Sequence, residues 1–94
     1  ERYPASDYAE DAVQRMRFIK NNLARYESQV ADYYLRRGAN VAALKRAREA
    51  LMTYNGTPAN ERSLQIMIEA YENLDMAELA RATKEVLEIN FPTS

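Results

Sequence analysis

The chain has 94 residues, enough for one compact domain and too few for two. Apolar residues make up 47% of it and charged residues 29%, with two glycines and three prolines, a balance typical of an ordered helical protein and unlike a disordered or fibrous one. A net charge of -1 argues against a nucleic-acid binder, and the lack of any histidine or cysteine excludes most enzyme classes, disulfide frameworks and the usual soft metal sites.

No apolar run reaches the eighteen or so residues of a membrane span, and the opening "ERYPASDY" has neither the basic start nor the apolar stretch of a signal peptide. With no initiating methionine, the chain is expected to be a fragment or a mature form. The first apolar stripe runs Tyr8, Ala12, Met16, Ile19, Leu23, Tyr26, Val30 and Tyr33, in steps of four and three that keep one helical face. It predicts a long helix over about 7–37, N-capped by Ser6, acidic in its first turn, and closed by Arg36, Arg37 and a left-handed Gly38. Tyr26 and Tyr33 are expected in the core, with Tyr8 or Tyr71 partly exposed. Asn21-Asn22, two poor helix formers, is its one weak point, and a single helix is still expected through it.

A second helix over about 40–54 follows from Val41, Ala43, Leu44, Ala47, Ala50, Leu51 and Tyr54, and stops at "NGTP". Thr57 as cap and Pro58 as first residue predict a third helix over about 58–74, with Leu64, Met67, Ile68, Tyr71 and Leu74 on its apolar face. Leu79, Ala80, Thr83, Val86, Leu87 and Ile89 predict a fourth over about 76–90. The fold class is therefore all-α: four helices in antiparallel hairpins, and no strand.

Shifting the chain by 37 residues lays Tyr34 on Tyr71, Gly38 on Asp75, Ala43 on Ala80 and Tyr54 on Phe91. The two hairpins thus read as copies of one unit. Tyr3-Pro4 resembles Phe91-Pro92 as the end of a further copy, and on that register the first helix carries 14 residues beyond the repeat norm, close to four turns. An aromatic pair, a glycine turn, alanines at a tight crossing and an aromatic-proline ending resemble the tetratricopeptide repeat, a solenoid of α-hairpins.

A closer resemblance lies in Tyr3-Pro4, Ser6, Tyr8, Asp11-Ala12, Arg15-Met16, Ile19, Asn21, Leu23-Ala24, Glu27, Val30-Ala31, Tyr33-Tyr34, Arg37-Gly38-Ala39, Ala42-Ala43 and Arg46. In these the chain resembles the C-terminal half of the BamD family, tetratricopeptide lipoproteins of the bacterial outer-membrane β-barrel assembly machinery. The resemblance implies a non-catalytic scaffold at the periplasmic face of the outer membrane, held in the full-length protein by an N-terminal lipid that, with the first repeats, this chain lacks. It further implies docking on the periplasmic POTRA domains of BamA, with BamC and BamE as additional partners. By the same resemblance Arg46 meets an acidic group on BamA, with Lys45, Arg37 and Arg36 beside it as partner-binding candidates. No cofactor, metal or catalytic residue is implied.

Other readings of the same residues stay open at this point. Residues 36–48 hold Arg36, Arg37, Lys45, Arg46 and Arg48 and no acid, which alone describes the solvated edge of a hairpin as well as it describes a site. Lys45 and Arg46 can both pair locally with Glu49. The alternative function is a free-standing tetratricopeptide adaptor gripping peptide tails of a chaperone or envelope partner. It would call for polar residues recurring on the first helix of successive hairpins, whereas the basic cluster here lies around one turn and one second helix.

Overall fold

The computed structural model describes residues 5–92, with side chains from Glu10 onward. Four helices follow in order: α1 (Ala5–Arg36), α2 (Asn40–Thr53), α3 (Asn60–Asn73) and α4 (Ala77–Asn90), and among the described residues there is no strand. None of the helices is long and apolar enough to cross a membrane. The fold class is the predicted all-α arrangement of hairpins of tetratricopeptide type. Tyr3-Pro4 and the side chains of Ser6, Asp7 and Tyr8 lie outside the described residues.

No glycine or proline interrupts the 32 residues of α1, and it runs unbroken through Asn21-Asn22. Ser6 lies within the described span of α1, Ala5–Arg36. Asn21 has a tertiary role. Its side-chain oxygen accepts a hydrogen bond from the Ala59 backbone N–H at 3.3 Å, tying α1 to the start of α3.

The two hairpin turns repeat the same backbone pattern 37 residues apart. Ala39 N–H donates to the Tyr34 carbonyl and Gly38 N–H to that of Leu35; Met76 N–H donates to Tyr71 and Asp75 N–H to Glu72. Both are Schellman closures, which need one left-handed residue. Gly38 supplies it at φ 81° and Asp75 at φ 61°, the same position in the second copy. The internal repeat seen in the sequence is thus a repeat of hydrogen bonds.

Helix α3 starts later than Thr57-Pro58 suggested. The Thr57 hydroxyl donates to the Asn60 side-chain oxygen at 3.3 Å and caps no backbone N–H, and Asn60 Nδ2 donates to the Tyr54 carbonyl at 3.1 Å. Both side chains are buried, so each satisfies a group that water cannot reach. Thr57 is a loop lock in this arrangement.

The core lies where α1, α2 and α3 meet. Ala31, Ala43, Ala47, Ile66 and Ala70 are 0% exposed, with Leu35 and Met67 beside them and Tyr34, Leu44, Leu51 and Tyr71 packed around. Helix α4 packs on α3 through Ala80 and Thr83, with Lys84 and Glu72 paired at 3.1 Å across the two. Among the described side chains of α1 the buried ones are Ala24, Ser28, Ala31 and Leu35, spaced four, three and four. That overturns the expected core face: Met16, Ile19, Leu23, Tyr26 and Tyr33 are all exposed, Tyr26 by 61% and Tyr33 by 54%. Small side chains allow the close helix approach that the tight hairpin demands, so the large apolar residues fall on another face of α1.

Gly38→Ala is expected to cost about 1–2 kcal/mol in urea denaturation, because a Cβ there meets nothing within 4 Å and only the left-handed backbone resists it. Asp75→Gly at the equivalent turn should be neutral or stabilising by up to about 1 kcal/mol. Equal losses from both substitutions would contradict the shared turn. Asn60→Ala, which strands the Tyr54 carbonyl and the Thr57 hydroxyl, is expected to lower stability by about 1–3 kcal/mol in the same assay.

Candidate functional site

Consecutive residues on a helix point about 100° apart, and Tyr33 and Tyr34 therefore serve different surroundings. Tyr34 is half-buried against the core, while Tyr33 is exposed. Their rings still touch edge to face, with centroids 5.7 Å apart and planes at 72°. Arg37, one turn beyond Tyr33, places its guanidinium 4.9 Å from the Tyr33 ring centre. From α2, Arg46 lies 5.9 Å from the centre of the Tyr34 ring and donates from Nη1 to Oε1 of Glu27 at 3.3 Å. The result is a continuous series across two helices: Glu27, Arg46, Tyr34, Tyr33, Arg37. It borders a shallow open groove lined by Tyr26, Gln29, Val30, Tyr33, Tyr34 and Arg46.

The basic block is therefore not one unit. Arg37 and Arg46, both among the expected partner-binding residues, are brought together through the two tyrosines. Arg36 is held elsewhere: its Nε donates to Asp32 at 2.7 Å, and the same carboxylate receives Arg62 of α3 at 2.6 Å. Lys45 is exposed on α2 and, among the described residues, makes no ion pair. The expected local pairing with Glu49 gives way to the interhelical Arg46–Glu27 contact, since α1 presents a carboxylate directly opposite. Glu49 lines a small hollow on α2 together with Arg46 and Glu27.

Asp32 and Glu27 sit in different electrostatic settings. The hydrogen bond from Arg36, then the charges of Arg62 and Arg36, hold the Asp32 carboxyl below its ordinary value, against a partial upward pull from burial. The same contact raises Arg36. The Arg46–Glu27 pair is longer and single, with the arginine side chain 41% exposed and the glutamate 27%. Such a pair is easily exchanged for another partner. Among the described residues no group of His, Cys, Asp or Glu could hold a metal ion.

Tyr26 and Tyr33 read as core from the sequence because large apolar side chains at helical spacing point inward, and Glu27 carries no local sign of meeting Arg46, 19 residues away. The signal lies in the weaker stripe of Ala24, Ser28, Ala31 and Leu35, which places Tyr26 and Tyr33 off the buried face of α1.

Two hairpins of tetratricopeptide type, repeated in turn geometry and presenting an arginine–tyrosine face, define a helical-repeat protein. More narrowly, the chain belongs to the YfiO outer membrane lipoprotein family, whose model matches residues 1–87. It is 46% identical over 90 residues to the outer membrane protein assembly factor BamD of Vibrio cholerae serotype O1, which covers 96% of this chain and 37% of that protein. It is 45% identical over 94 residues to BamD of Neisseria gonorrhoeae, covering 100% and 35% of the two chains. Against BamD of Pasteurella multocida it is 41% identical over 88 residues, covering 94% and 34%. The chain thus spans little more than a third of the length of these relatives.

Because Asp32 is depressed in the folded state, its contribution to stability is present above the ordinary value of 3.8 and is lost as pH falls through the lower folded value. Asp32→Asn should therefore melt below the parent chain at pH 7, with the two melting temperatures converging as the buffer is taken below pH 3.8. A constant gap from neutral to acid pH would show that the ion cluster contributes nothing titratable.

Proposed function

We propose that this chain is the C-terminal partner-binding module of a non-catalytic scaffold that assists assembly of outer-membrane proteins, lying at the periplasmic face of the outer membrane. In the full-length protein a lipid anchor would tether it there. The support is membership of an outer membrane lipoprotein family together with relatives named as outer membrane protein assembly factors.

Within that function, the partner proposed for the Arg46 face is a periplasmic POTRA domain of BamA, with BamC and BamE as further partners of the module. The observation that carries the proposal is the setting of Arg46 itself. It is half-exposed, braced on Tyr34, and satisfied only by a long contact to Glu27, so a carboxylate from outside can reach it. A planar guanidinium offers such a carboxylate two parallel hydrogen bonds, which a lysine cannot. By contrast Arg36 is committed to Asp32 within the chain, and Arg62 to the same clamp. Arg62 is accordingly an unsuitable control for charge loss, because removing it loosens α1 from α3.

The open apolar stripe of Met16, Ile19 and Leu23 suits the same assignment. It lies on the part of α1 that extends beyond the core, and the remaining helical repeats of a longer protein would stack there.

Arg46→Glu is expected to weaken binding to the purified periplasmic domains of BamA at least tenfold in a surface-capture titration, while Arg48→Glu, an exposed charge reversal on the same helix, changes it less than threefold. Indistinguishable affinities for the two variants would overturn the assignment of Arg46.

A further inference from the structure

An asparagine followed by a glycine is among the most labile pairs a chain can carry, because the glycine nitrogen has no side chain beside it to shield it and its backbone turns freely. This chain has one such pair, Asn55-Gly56, in the α2–α3 loop, and both residues are exposed. Gly56 stands at φ 86°, and a Cβ built on it would meet nothing within 4 Å, so solvent reaches the pair freely. Among the described residues neither the Asn55 side-chain amide nor the Gly56 N–H makes a hydrogen bond. Their neighbours are fastened: the Tyr54 carbonyl accepts from Asn60 Nδ2, and the Thr57 hydroxyl donates to the Asn60 side-chain oxygen.

The chain's other asparagines are guarded. After Asn60, Asn73 and Asn90 the next N–H is already bonded, that of Glu61 to the Pro58 carbonyl, that of Leu74 to Ala70 and that of Phe91 to Leu87. Asn21 and Asn22 lie inside α1, where each N–H is tied one turn back. Asn40 is followed by Val41, whose branched side chain crowds its own nitrogen.

We propose that Asn55 is a site of spontaneous deamidation and isomerisation, a modification that loosens the start of α3. The Gly56 nitrogen gives its proton to solvent hydroxide and bonds to Cγ of Asn55, and the side-chain nitrogen leaves as ammonia, closing a succinimide ring. Water then opens the ring. Attack at Cγ restores the chain with an aspartate at 55; attack at the main-chain carbonyl breaks the original peptide bond, and the chain then runs through Cβ and Cγ as isoaspartate. Either route takes up water and releases ammonia, exchanging an amide for a carboxylate with no change of oxidation state.

The two products differ in what they do to the fold. Isoaspartate adds a backbone atom between Tyr54 and Thr57, the two residues that Asn60 bridges. Its free carboxylate belongs to a residue lining a hollow with Leu51, Leu64 and Phe91, apolar neighbours that give a charge no compensation. The Asn60 bridge and the bond from Ala59 N–H to Asn21 hold the start of α3 to α2 and α1, so this product weakens the junction while aspartate leaves its backbone intact.

The test ages the full-length protein in neutral buffer and reads conversion by mass spectrometry and isoaspartate methylation. The tryptic peptide 49–62 carries both Asn55 and Asn60, so each is measured against the other. Asn55 should convert at least about tenfold faster than Asn60, and Asn55→Gln should abolish the product, since its longer side chain closes the ring poorly. The isoaspartate form, separated by anion exchange, should melt at least about 2 °C below the fresh protein, and Asn55→Asp, with the same charge and a normal backbone, should stay within about 1 °C of it. Conversion at Asn60 as fast as at Asn55 would overturn the site. So would conversion at Asn55 in urea and none in the folded protein, because the loop would then hold the Gly56 nitrogen away from Cγ. If the isoaspartate form melts with Asn55→Asp, the loosening of α3 is overturned.

Discussion

Everything in this molecule follows from the alanine contact at which three helices meet. Ala31 of α1, Ala43 and Ala47 of α2 and Ala70 of α3 are wholly buried and bring the backbones close, with Ile66 as the largest fully buried side chain among them. A contact built on methyl groups gains little area per residue, so its stabilisation comes from dense packing along the length of the helices. Closeness also constrains the turns: short reversals between tightly packed helices need a left-handed residue, which Gly38 and Asp75 provide at equivalent positions. And it expels bulk. Large apolar residues that do not fit the crossing must lie elsewhere on α1, which is why a helix that is amphipathic by sequence carries an apolar stripe facing outward.

The sequence made the fold legible where local rules and repetition agreed. Helix number, the unbroken course of α1 past most of its length, the Gly38 closure and the 37-residue register all follow from periodicity and turn chemistry, and the hydrogen bonds repeat as the residues do. What was not legible was which face of α1 is inside. Ala24, Ser28 and Ala31 are weak hydrophobic signals beside Met16, Ile19, Leu23 and Tyr26, and a search for large apolar residues selects the wrong stripe. Thr57 failed as a cap for a related reason. Its hydroxyl had a competing partner, the Asn60 amide, whose position depends on the α2–α3 loop and on Asn21 reaching across from α1. Those contacts are long-range and leave no trace in local spacing.

For the candidate site the division is similar. Arg46 is singled out by resemblance, but its surroundings are not. The carboxylate that meets it is 19 residues away, and the local alternative, Glu49, was the one that spacing favoured. The contiguous run of basic residues also suggested a unit that the structure divides. Arg36 and Arg37 are neighbours in the chain, yet the turn of the helix sends one to Asp32 and the other onto Tyr33.

That division separates two uses of the same chemistry. The Asp32 carboxylate takes two guanidinium groups at 2.7 and 2.6 Å, one from its own helix and one from α3, and so fixes the register of α1 against the next hairpin. The Glu27–Arg46 pair, at 3.3 Å and shared with no second cation, fixes little. An ion pair that is short, shared and tied to a second helix resists exchange, because breaking it exposes two cations at once. One that is long and single is readily replaced by a better-placed carboxylate. A repeat fold lets both coexist: the backbone of each hairpin is set by its alanines and its turn, and the side chains on a stacking face are then free to differ between copies. In the second hairpin they are small and pack on the first; in the first they are aromatic and charged.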